Sequence, residues 1–345
     1  MSEPPVSPLR KLVHSAVPSE FNDPIGLAGR VLRSGPDGRF ALLAAGLGVL
    51  AAPIDLLARG AESRLYGRAG RPNLPILFVC GPPRSGTTVV ALTLARSLDV
   101  AFVTNLTSIF PRAPITMSRL FRADPDGGRL ALRSHYGRTA GMLGWNDGLH
   151  LWDRWVGADR TAADIQIDDA RGREMERFFG AYEEWSKRPL LMKNNGLLLF
   201  ASEVARHLPT ATFLCLRREP VYLAQSLLVA RSYIHGDDAI PYGRDDPERV
   251  HHEDPVLDVC EQVRYYAKVI DRCRTELGEE RFRVVSYESF CADPARLVTD
   301  VAENVLDLPV LHERVPPPLK VSTKQRLPDE TFARLEALLE PDRTE

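Results

Sequence analysis

The chain has 345 residues, within reach of one large α/β domain, and a formal charge of 44 − 46 = −2. That balance leaves no global basic field, so nucleic acid is not an expected partner. Five cysteines, an odd number with no C-x-x-C spacing, fit free thiols in a reducing, cytoplasmic compartment. The first 20 residues carry four prolines and little periodicity, and are expected to form a loosely held arm. Phe40 to Ile54 then runs for fifteen residues without a charge. That is short of the roughly 20 needed to span a bilayer. Almost 40 mostly polar residues precede it, unlike a signal peptide, and the helix breakers Gly46, Gly48 and Pro53 lie inside. A buried or partner-facing helix is expected over 40–54. Contact with a membrane surface, which would make the protein peripheral, stands as the alternative, and a true span as a third reading. Residues 1–73 are read together as arm and apolar segment.

The stretch Pro75-Ile-Leu-Phe-Val-Cys80 predicts a buried strand, Gly81 to Gly86 a tight loop, and Thr87-Thr88 the start of an apolar-periodic helix. Strand, glycine loop and helix start are the parts of an anion cradle, where backbone N–H groups and the positive helix end meet a phosphate. Gly81 and Gly86 have Walker A spacing, but Thr87 stands where the lysine of G-x-x-x-x-G-K-[ST] belongs. The cation sits inside the loop, at Arg84.

From Thr104 to Arg188 strand signals vanish. Leu120 to His150 reads as loop and short helices, and Glu174 to Trp185 as an amphipathic helix. Between Gly144 and Gly157 three tryptophans mix with Asp147, His150, Asp153 and Arg154. Aromatic faces beside carboxylates suit a polyhydroxylated acceptor. A tryptophan-anchored packing corner, with Asp147 or Asp153 as a helix cap, explains the passage equally well. His150 is the favoured candidate base, since an imidazole accepts a proton near neutral pH, with Asp147 and Asp153 as rivals.

Pro189-Leu-Leu-Met-Lys193 predicts a strand ending in a lysine, unusual because burying an unpaired ammonium is expensive. Lysine is sparse, six against 38 arginines, so Lys193 is not casual filler. Ala211 to Leu216 is another buried strand, and Pro220 suits the first turn of the helix that follows. Arg218 at the strand end and Ser226 along that helix can grip one phosphate together, the arginine bidentately. His251-His252-Glu253-Asp254 lacks a third ligand at helical spacing and reads as a solvated loop. Asp258 to Leu277 predicts a helix, Arg281 to Glu288 a strand running into a loop, and Asp293-Pro294 the cap and first position of a further helix. A basic loop with Lys320, Lys324 and Arg326 precedes a final helix within 327–345.

The loop Pro83-Arg-Ser-Gly-Thr-Thr88, the Arg218…Pro220…Ser226 spacing and Lys193 together resemble the PAPS-dependent sulfotransferases of the bacterial type. The segment Tyr287-Glu288 to Pro294 is similar to that family's "YE-x-L…dP" stretch, with Phe290 for leucine. The resemblance implies a three-layer α/β fold with a central parallel sheet of the P-loop kind over 74–326. It implies sulfonate transfer from PAPS (3′-phosphoadenylyl sulfate), without metal, to a hydroxyl or amine of a carbohydrate, lipid or small metabolite. Arg84, Ser85, Gly86, Thr87 and Thr88 would hold the 5′-phosphosulfate, Arg218 and Ser226 the 3′-phosphate, and Lys193 the leaving-side charge. The basic loop would fold over the 3′-phosphate, and 104–188 would build the acceptor pocket. The pattern departs at the base. Asn195 occupies the place of the cytosolic branch's histidine, and no acid stands in Val103 to Ser108, where the tyrosine sulfotransferases carry a glutamate. A P-loop kinase using ATP, separable by its magnesium dependence, and an inactive PAP- or nucleotide-binding scaffold remain the competing readings.

Overall fold

The computed structural model describes residues 24–33, 35–123, 127, 130, 132, 139–157, 165–246 and 248–340; the arm expected over 1–20 lies outside them. Five strands form one parallel sheet in the order β2-β3-β1-β4-β5: β1 Ile76–Cys80, β2 Ala101–Phe102, β3 Leu190–Lys193, β4 Ala211–Arg217 and β5 Phe282–Ser286. The central strands β1 and β3 are buried along their length. That burial explains their continuous apolar runs, since a parallel sheet is covered on both faces.

Strand β1 sorts the core by its two-residue period. Ile76, Phe78 and Cys80 face a layer that includes α7 (Asp169–Ser186), α8 (Leu197–His207), α9 (Pro220–His235) and α10 (Pro255–Arg281). Leu77 and Val79 face α3 (Thr87–Ser97), α11 (Tyr287–Ala292) and α12 (Pro294–Val301). The expected three-layer arrangement is therefore present. Caps fall where short polar residues precede helices: Asp168 accepts from Ala170 and Arg171, Asp254 from Val256, and Asp293 from Arg296. Regular α10 geometry breaks at Gly278, φ 73°, directly after the expected end at Leu277. Strand β5 runs straight into α11, not into the expected loop, because Ser286 Oγ accepts from Ser289 N and caps the helix.

The N-terminal part is helical: α1 spans Pro24–Arg33 and α2 spans Pro36–Arg68. Gly46, Gly48 and Pro53 do not interrupt α2, because tertiary packing overrides their propensities. Its inner face packs Ala44 with Leu106, Ile109, Phe110 and Met117 of α4 (Asn105–Ile109), α5 (Pro114–Leu120) and the turn between them. Two buried carboxylates fasten it. Asp55 accepts from the Arg112 and Ala113 amides at 3.0 Å each, and Glu62 from Ile115 and Thr116 at 3.1 and 2.7 Å. The last helix, α13, spans Asp329–Leu339.

Candidate active site

The carboxyl ends of β1, β3 and β4 lie side by side, the edge of an open α/β sheet where ligands gather. Register sets the spacing: Val79 pairs with Lys193, and Cys80 with Cys215. The segments that follow β3 and β4 therefore start on either side of the loop after β1, each about 5 Å from it.

The loop after β1 is shaped by two glycines and one strained arginine. Gly81 has φ 137°, and a Cβ there would lie 2.7 Å from Leu216 O. Gly86 has φ 97° and sits so close to the Tyr287 ring that no Cβ fits. Arg84 adopts φ 72°, costly for a residue with a Cβ. Its environment holds it there. Arg218 Nη1 donates to Arg84 O at 2.8 Å, and Arg84 Nε donates to Ser226 Oγ at 3.2 Å. Arg84, Arg218 and Ser226 thus form one cluster, joining the residues expected to hold the two phosphate ends.

Arg218 also donates to Ser322 O at 2.8 Å and lies over the Tyr287 ring, 5.2 Å from its centroid. Burial lowers the Arg218 pKa, and burial raises the Tyr287 phenol to about 12. The 316–328 loop is tied down by its backbone. Gln225 Nε2 donates to Lys324 O at 3.1 Å, and Gln225 Oε1 accepts from Arg326 N at 2.6 Å. This brings the loop onto the Arg218 side of the site, with Lys320, Lys324 and Arg326 exposed.

On the β3 side, Lys193 is 5 % exposed and its Nζ donates to Asp147 Oδ2 at 2.6 Å. Trp145 Nε1 donates to the other oxygen, Oδ1, at 3.0 Å. Asp147 is held from behind by a chain of amides. Asn146 donates to Asn105 Oδ1 at 3.0 Å and accepts from Gly148 N, while Asn105 Nδ2 donates to Thr139 O and Gly141 O. Of the three candidate bases, Asp147 is the one that touches Lys193. His150 and Asp153 lie half-buried on α6 (Leu149–Val156), whose N-cap is Gly148, so neither aspartate caps it. Asn195 Oδ1 accepts from Thr87 Oγ1 at 2.8 Å, placing the loop after β3 over the start of α3.

The tryptophan passage is a packing corner. Trp145, Trp152 and Trp155 are fully buried; Trp145 stacks on Phe102, and the other two pack among Phe78, Phe178, Phe179 and Phe200. None offers a face to an acceptor. Sequence reasoning missed the Asn105–Asn146 brace and the Gln225 tie; their only signal was polar residues within apolar surroundings. At the other tempting cluster, His251 meets Asp258 at 3.2 Å and Asp254 caps α10. Among the described residues no group of three or more His, Cys, Asp or Glu is placed to hold a metal.

A family model described as "Sulfotransferase family" matches residues 75–311. The fold is similar to that of the sulfotransferase STF9 from Mycobacterium avium, at 16 % identity and TM-score 0.51, over 92 % of this chain and 81 % of that one. It is also similar to the sulfotransferase STF1 from Mycobacterium tuberculosis H37Rv, at 14 % identity and TM-score 0.50, over 96 % and 93 % of the two chains. No curated protein sequence matches the chain.

Proposed function

Because the chain belongs to the sulfotransferase family, we propose that it transfers a sulfonate from PAPS to a hydroxyl, or an amine, of a glycan, lipid or small-metabolite acceptor. The observation that carries this reading is a convergence at one sheet edge: the Arg84–Arg218–Ser226 cluster on one side, the Lys193–Asp147 pair on the other. The donor set suits an anionic nucleotide. Ser85 Oγ and Arg218 Nε are buried and make no hydrogen bond among the described residues, as expected of donors built to meet phosphate oxygens. PAPS supplies the sulfonate when bound.

The chain's own residues divide the remaining work. Ser85, Gly86, Thr87 and Thr88 line the loop and the first turn of α3, whose amides lack intrahelical partners. Arg84 adds charge there, while Arg218 and Ser226, under the loop of Lys320, Lys324 and Arg326, select a 3′-phosphate. Lys193 brings a fixed cation to the place where charge develops, the usual source of rate in such displacements. Asp147, in contact with Lys193 through one oxygen, is the base we assign. With PAPS bound, it would take the acceptor's proton while the acceptor oxygen bonds to sulfur and the sulfur–oxygen bond to the 5′-phosphate breaks to release PAP; Trp145 fixes its orientation. His150, favoured on sequence grounds, gives way because Asp147 is the candidate that pairs with Lys193.

Titration calorimetry with PAP tests the reading. The chain should bind PAP with micromolar or tighter affinity without added metal. Arg218→Ala or Ser226→Ala should weaken PAP about tenfold more than adenosine 5′-phosphosulfate, the scale of one charge-assisted hydrogen bond. Equal losses for both ligands would misplace the 3′-phosphate site. Failure to bind PAP at all refutes the assignment.

A further inference from the structure

Helix α2 is apolar on both faces between Phe40 and Ile54, the pattern of a helix buried in a core or in lipid. Its inner face has a partner in α4 and α5. Among the described residues its outer face has none: Leu43, Val49, Leu50, Ile54 and Leu57 stand in solvent, with Leu50 78 % and Leu57 84 % exposed. From Leu43 to Leu57 the stripe runs about 21 Å at 1.5 Å per residue. Single exposed leucines need no explanation, whereas a continuous stripe marks a contact surface.

Charge identifies the contact. Arg39 lies at one end of the outer face, and Arg64 and Arg68 at the other, all exposed. Asp55 and Glu62, by contrast, are turned inward, 0 % and 1 % exposed, and are occupied with backbone amides of 112–116. Among the described side chains of the helix, the outward face therefore carries cations and apolar groups and no acid. A second copy fits poorly. Antiparallel pairing that superposes the apolar stripes brings Arg39 beside the partner helix's Arg64, and parallel pairing sets each arginine against itself. An anionic surface accepts both features, taking the leucines below the headgroups and pairing the arginines with lipid phosphates.

We propose that the outer face of α2 docks on an anionic membrane surface, with the helix axis lying in the interface. By length and composition this helix is able to cross a membrane. The inward carboxylates forbid it here, because Asp55 and Glu62 fasten the helix to the body of the domain. Crossing would strip both from their amide partners and bury them unpaired.

Co-sedimentation of the full chain with phosphatidylcholine vesicles, with and without phosphatidylglycerol, tests the proposal. The chain should pellet with the anionic vesicles and be released by salt. Leu50→Asp with Leu57→Asp should weaken binding on the order of a hundredfold, from two lost apolar insertions. Arg39→Glu with Arg64→Glu should weaken it at least about fivefold for each site. These positions are exposed, and circular dichroism melts matching the parent chain will separate lost binding from lost folding. Absence of vesicle binding, or binding indifferent to the leucine changes, overturns the proposal. So does a dimer in analytical ultracentrifugation that the leucine changes dissociate, which would assign the face to a second copy.

Discussion

Replacing Asp147 by asparagine separates the two jobs assigned to that carboxylate, because the amide keeps the shape and can still accept from Trp145 while losing charge and basicity. Lys193 is 5 % exposed and pairs with Asp147 at 2.6 Å, so the change removes one partner of a buried ion pair. Such a loss costs about 3–5 kcal/mol. With roughly 2.1 cal/mol/K of unfolding entropy per residue, a 345-residue chain has about 0.7 kcal/mol/K, so Tm should fall by about 4–7 °C. Loss of a general base lowers kcat by about 10²–10⁴. The two effects are read apart by running transfer of labelled sulfonate from PAPS to an acceptor panel well below the variant's Tm, with PAP calorimetry in parallel. PAP affinity should change by less than about threefold, since a base contributes to the step and not to nucleotide binding. Turnover within about tenfold of the parent chain would remove Asp147 as the base and return His150 or Asp153 to the role.

Lys193→Ala should lower kcat by about 10²–10³ with little change in PAP affinity, as expected for a donor felt mainly in the transition state; normal turnover would exclude it. Gly86→Ala should cost about 1–3 kcal/mol and weaken PAP binding, since φ 97° strains the new residue and its methyl meets the Tyr287 ring; an unchanged melt would show that the loop relaxes. The Asp258 carboxyl sits among Arg249, Arg231 and His251; burial alone would raise its pKa, but the hydrogen bond and charge from the two arginines hold it below the ordinary value. Its contribution to stability is therefore fully present above the unfolded pKa of about 3.9 and is lost as pH falls through the lower folded value. Asp258→Asn should destabilise at neutral pH and flatten this acid limb in chemical-denaturation profiles; an undiminished acid limb would refute the linkage.

Local chemistry made much of this molecule legible in sequence. The β1 run, the glycine loop and the Thr87 helix start needed only short-range rules, as did the Pro220 and Asp293-Pro294 helix starts and the buried strand before Arg218. Each is written within about ten residues, on the scale of one strand, turn or cap. Lys193 stood out because burying a lysine is expensive, which signalled a partner without naming it. Tertiary structure alone chose that partner, across 46 residues and from a loop that carries no strand or helix pattern. It also decided that Trp145 orients a carboxylate while Trp152 and Trp155 fill the core, since three tryptophans look alike until their neighbours are known. The same holds for Arg84, whose Ser226 and Arg218 contacts join separate motifs, and for α2, where packing carried a helix through two glycines and a proline. Periodicity and caps report a residue's neighbours along the chain. Charge pairing, aromatic burial and the fate of a helix face depend on neighbours through space, which the folded sheet order brings together.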